Sequence, residues 1–63
     1  MKNHIKELRT EKGLFQQELA DICGVSRQTV NGIENNKYDP TLEFAFKLSL
    51  ALETTIDELF IYE

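Results

Sequence analysis

A chain of 63 residues with a formal net charge of −4 has room for one small hydrophobic core and no second domain. Its single cysteine, Cys23, and single histidine, His4, exclude an intrachain disulfide and a structural zinc site. No apolar run approaches the roughly 18–20 residues that span a bilayer, and the opening MKNHIKELRTEKG lacks a secretory apolar stretch, so the expectation is a cytoplasmic protein without membrane contact.

The first helix is expected over residues 3–12, with Ile5 and Leu8 on one face and Arg9 beside them. Gly13 then reads as a left-handed cap followed by the apolar Leu14. A second helix over residues 16–23 places Leu19, Ala20 and Cys23 at core spacing, with Cys23 behaving as a small buried hydrophobe. Phe15 falls at its N-cap position without a side-chain acceptor, and either packs to compensate or serves a contact. Gly24 and Val25 form a tight turn, and Ser26 caps a third helix over residues 27–35.

On that third helix Val30, Ile33 and Glu34 share one side, while Gln28, Asn31, Gly32 and Asn35 point the other way with Arg27 flanking them. The outer face is polar and nearly uncharged. Residues 35–40 form a loop that Pro40 closes, since Asn tolerates the left-handed conformation that ends a helix. Thr41 caps a fourth helix reaching about Leu52, and TIDE, residues 55–58, is a capping box opening a short fifth helix. Phe60, Ile61 and Tyr62 are strand formers at the tail. The fold class is all-α with five short helices and, at most, a short terminal β pairing.

The charge is unevenly placed. Residues 1–38 hold six bases and five acids, and residues 39–63 hold one base and six acids. An N-terminal face can therefore meet phosphates although the whole chain is acidic. Catalysis is excluded by different means: no glycine-rich phosphate loop, metal cluster or nucleophile–base pair is written into the chain. No cofactor and no small-molecule ligand are implied.

The ordered motifs Q-x-E-L-A, G-V-S-R-Q-T, I-E-N, K-Y-x-P and I-D-E-L-F resemble the lambda-repressor/Cro-like family of helix-turn-helix regulators, in its short stand-alone form. The likeness runs from Ile5 to Phe60. It implies double-stranded DNA as partner, with the helix-turn-helix over residues 16–34 and the third helix in the major groove. Arg27 suits guanine O6 and N7, Gln28 suits adenine N6 and N7, and Asn31 lies one turn further on as a second base reader. The plain alternative for this face is solvation.

Gln16 stands where the family clamps the DNA backbone, and Ser26, Thr29, Asn35, Lys37 and Tyr38 are candidate phosphate contacts, Lys37 being equally suited to solvent. Gly32, if not tolerated drift, lets the helix backbone approach DNA closely. The resemblance also implies a structural ion pair between Arg9 and Glu34.

Phe44, Ala45, Leu48, Ala51 and Leu52 form one apolar stripe on the fourth helix, and Leu42, Phe46 and Leu50 form a second nearly opposite. That surplus, with Phe60, Ile61 and Tyr62 behind it, leads to an expected homodimer on a palindromic operator, with Leu50, Phe60, Ile61 and Tyr62 at its interface. The competing reading is a protein-interaction module, such as an antitoxin or adaptor, that keeps the fold without the DNA contacts.

Overall fold

The structure, a computed structural model, describes residues 2–61. In chain order its elements are β1 (Lys2–Asn3), α1 (Ile5–Glu11), α2 (Gln16–Cys23), α3 (Arg27–Glu34), α4 (Leu42–Ala51), α5 (Ile56–Leu59) and β2 (Phe60–Ile61). The two strands pair antiparallel, Lys2 opposite Ile61 and Asn3 opposite Phe60, which closes the N-terminal end of the chain onto the tail.

α1 begins at Ile5 rather than at residue 3, because Asn3 is drawn into that strand pairing. Asn3 still serves the helix: its Oδ1 accepts from the Ile5 N–H at 3.1 Å, satisfying one of the amides a helix start leaves free. Its Nδ2 donates to the Ile33 carbonyl at 2.8 Å and so ties the N-terminus to the end of α3. At the other end of α1, Gly13 takes φ +71°, and the Leu14 N–H reaches back to the Arg9 carbonyl at 3.0 Å.

α2 starts without a side-chain acceptor at Phe15, but Glu18 reaches back and accepts the Phe15 N–H at 2.8 Å. Phe15 itself is 75% exposed, so the packing alternative is not realised. Gly24 turns the chain at φ +72°, with the Val25 N–H bonded to the Ala20 carbonyl at 3.0 Å. Ser26 Oγ then accepts the Thr29 N–H at 3.2 Å to open α3. α3 closes the same way on Asn36 at φ +59°, with the Lys37 N–H returning to the Gly32 carbonyl.

Thr41 caps α4 and Thr55 caps α5 through their hydroxyl oxygens. The Glu58 carboxylate meets the Thr55 hydroxyl at 3.1 Å, so only the Thr55 half of the capping box acts on backbone. α4 ends one residue earlier than expected, with Leu52 as its cap and Glu53 in the left-handed region at φ +54°.

The core is built from one face of every helix: Ile5, Leu19, Val30, Ile33, Leu48 and Leu59 are its fully buried side chains. Each contributes about 1.5–3 kcal/mol of burial. Ala20 and Cys23 of α2, both buried, complete the floor under α3 and α4, and burial pushes the Cys23 thiol pKa up, partly opposed by Lys47. The two stripes of α4 separate as read from the sequence. Phe44, Ala45 and Leu48 are buried, whereas Leu42, Phe46 and Leu50 are exposed. Phe60, expected at the interface, lies in the core at 9% exposure because the β pairing turns it inward, and so has little surface to offer a partner. Among the described residues no helix is long and apolar enough to cross a membrane.

Candidate nucleic-acid interface

α3 carries Val30 and Ile33 into the core, which leaves Arg27 and Gln28 exposed and Asn31 half-exposed on its other side. These three, with Gly32, Lys37 and Tyr38, line an open concavity of about 290 Å³. It contains two cationic side chains and no carboxylate. Eight residues of helix are about 12 Å long, close to the roughly 12 Å width of a B-DNA major groove.

The cations are partitioned in a way that composition does not reveal. Arg9, Lys12 and Lys47 face the carboxylates of Glu34, Glu53 and Glu43 at 2.8, 3.2 and 3.2 Å. Arg27 and Lys37 make no side-chain hydrogen bond or ion pair with any described residue. A chain that is acidic overall thus presents unneutralised positive charge on this face, as it also does at Lys6 on α1.

Behind the face sits a polar network that anchors it. Arg9 donates from Nε and Nη2 to the two oxygens of Glu34 at 2.8 and 3.3 Å, and from Nη1 to the Leu14 carbonyl at 2.7 Å. The Arg9 and Glu34 side chains are 11% and 3% exposed, so this pair acts as a joint between α1 and α3 inside the fold. Gln16 Nε2 adds a third donor to Glu34, at 3.0 Å, and Gln16 Oε1 accepts from Asn31 Nδ2 at 3.4 Å. Two side chains expected to face DNA are therefore also held from within.

Gly32 has a structural reason of its own. It is buried, and a Cβ there would lie 2.8 Å from Cζ and from the hydroxyl oxygen of Tyr38. The missing side chain makes room for the Tyr38 ring. The Tyr38 hydroxyl donates to the Thr29 carbonyl at 2.9 Å, locking the ring across α3. Tyr38 is nonetheless 47% exposed and lines the concavity, so it forms part of the same surface.

The remaining candidates cluster at the two ends of α3. Ser26 and Thr29 share a hydroxyl–hydroxyl bond at 3.0 Å at its start, and Asn35 caps the Asn31 carbonyl at 2.9 Å at its end. Sequence reasoning missed Asn3, whose tie to the Ile33 carbonyl holds the end of α3. Nothing in a two-residue strand marks it in advance.

A helix braced from behind, exposing an acid-free polar face beyond a tight glycine turn, defines a helix-turn-helix DNA-binding domain. The helix-turn-helix family model matches residues 5–59, and the chain belongs to that family of transcriptional regulators, in its lambda-repressor-like branch, and is not an enzyme. An uncharacterised HTH-type transcriptional regulator of Methanocaldococcus jannaschii is 48% identical over 63 residues, covering 100% of this chain and 96% of the relative.

Among solved structures, the restriction-modification controller protein C.AhdI from Aeromonas hydrophila is similar with a TM-score of 0.82 and 41% identity, over 89% of this chain and 85% of its own. The biofilm master regulator SinR, solved in complex with DNA, matches with a TM-score of 0.76 and 36% identity, over 82% and 84% of the two chains.

Proposed function

We propose that this chain is a cytoplasmic repressor that binds a palindromic DNA operator as a homodimer, α3 lying in the major groove. The observation that carries the reading is the face of α3, where Arg27 and Lys37 are unneutralised and the lining holds no carboxylate. Arg27, Gln28 and Asn31 contact bases. Gln16, Ser26, Thr29, Asn35, Lys37 and Tyr38 contact phosphates and set the register.

Dimerisation uses the exposed stripe of α4, with Leu42 at 70%, Phe46 at 52% and Leu50 at 78% exposure, together with Ile61. Phe60 is withdrawn from this interface, and Tyr62 lies outside the described residues. A two-fold dimer sets two copies of α3 about one turn of DNA apart, roughly 34 Å. Occupancy of an operator that overlaps a promoter suffices for repression.

The exposed α4 stripe also supports the alternative of a protein-interaction module, and binding to duplex DNA decides between them. The test is binding to a duplex selected from a random pool, measured over a range of salt. Affinity should fall steeply as salt rises. Arg27→Ala should lose preference at its base position, by about 1–3 kcal/mol, without loss of fold. Equal binding of the selected operator by Arg27→Ala would refute the assignment.

A further inference from the structure

The amide of Asn31 has only one compatible orientation, and the reason lies two helices away. Arg9 is always cationic, and it grips both oxygens of Glu34, so Glu34 is a carboxylate that can only accept. Gln16 must therefore turn Nε2 toward Glu34, which sends its Oε1 the other way. Only a donor can meet that oxygen, so Asn31 presents Nδ2 to it. The opposite orientation would set two oxygens face to face. What remains on Asn31 is Oδ1 and one N–H, on a side chain that lines the same concavity as Arg27 and Gln28.

We propose that Asn31 reads adenine, accepting from the N6 amino group and donating to N7, and that Gln16 is the positioning residue that fixes this polarity on behalf of Glu34. This inference rests on α3 lying in the major groove. Adenine presents a donor beside an acceptor there, which matches the free pair on Asn31. Guanine presents two acceptors and would set its O6 against Oδ1. Gln16 thus adds to any phosphate contact a role in sequence choice, exerted through Asn31.

The experiment is selection of duplexes from a randomised pool by the wild type, Asn31→Asp and Gln16→Met, with thermal melting of each protein. Methionine keeps the length of Gln16 and removes both of its polar contacts. Wild type should enrich adenine at one position per half-site. Asn31→Asp should abolish the adenine preference there, since a carboxylate only accepts and cannot donate to N7. Gln16→Met should lower the adenine preference there about tenfold, with preference at the Arg27 position unchanged.

A merely structural role for Gln16 would weaken binding to all sequences alike and leave the base preference where it was. Undiminished adenine preference in Gln16→Met, or a pool indifferent to Asn31→Asp, overturns the inference alone. If wild type enriches no sequence, the groove reading itself falls and the inference with it.

Discussion

Gln16 and Glu34 meet at 3.0 Å, joining the first residue of α2 to the last residue of α3 through a carboxylate that Arg9 already holds. This contact connects the domain's internal brace to the face turned outward. The geometry of α3 relative to α2 is set by more than apolar packing, and each member of the network makes a separate, measurable contribution.

Arg9→Ala should be among the most damaging single changes in the chain. It leaves Glu34, 3% exposed, as an uncompensated charge, and it orphans the Leu14 carbonyl. Removing one partner of such a pair costs about 3–5 kcal/mol, a large share of the stability of a small domain. Urea denaturation would show the loss as a lower midpoint. Any DNA binding should decline with the folded fraction.

Gly32→Ala should leave overall stability within about 1 kcal/mol, because two effects oppose each other. Alanine is favoured over glycine inside a helix by about 1 kcal/mol. The new methyl displaces the Tyr38 ring and breaks its bond to the Thr29 carbonyl, of which a hydrogen bond's net worth is about 0.5–1.5 kcal/mol. The ring tip is free to swing outward, so the fold survives. Contacts between the Tyr38 ring and α3 in nuclear Overhauser spectra should vanish, and retention of those contacts would contradict the packing role given to Gly32.

Glu53→Gly should stabilise the protein. Glu53 sits at φ +54°, where an L-residue loses about 1–2 kcal/mol and glycine loses little. Against this stands one ion pair, Lys12 to Glu53 at 3.2 Å, with the glutamate side chain 79% exposed. Pairs of that kind contribute about 0.2–1 kcal/mol and weaken with salt. The thermal midpoint should therefore rise, and more clearly at high ionic strength.

Leu50→Asp and Phe60→Asp should part company although both replace an apolar residue of the C-terminal third. Leu50 is 78% exposed, so its aspartate should leave the melting of the monomer unchanged and shift sedimentation toward monomer, with weaker binding to a two-half-site operator. Phe60 is core, and burying a charge in its place should unfold the chain. Monomeric wild type at micromolar concentration would remove Leu50 from any interface.

Much of this was legible locally. Gly13 and Gly24 at left-handed positions, Ser26 and Thr41 as caps and the two stripes of α4 each depend on residues within one or two turns of each other. Backbone sterics, short-range capping and helical periodicity act over that same range, so a linear reading suffices. The site residues were legible as a face for the same reason.

Only the tertiary structure decided what stood behind that face. Phe60 looked like surplus surface until pairing with Asn3 turned it into the core, and only the fold set the Tyr38 ring against Gly32. The partners Gln16–Glu34, Asn31–Gln16 and Asn3–Ile33 are 18, 15 and 30 residues apart. No periodicity encodes contacts at such separations. They exist because burying one apolar face of every helix brings those polar ends together, and satisfying the ends then sets which way each amide points.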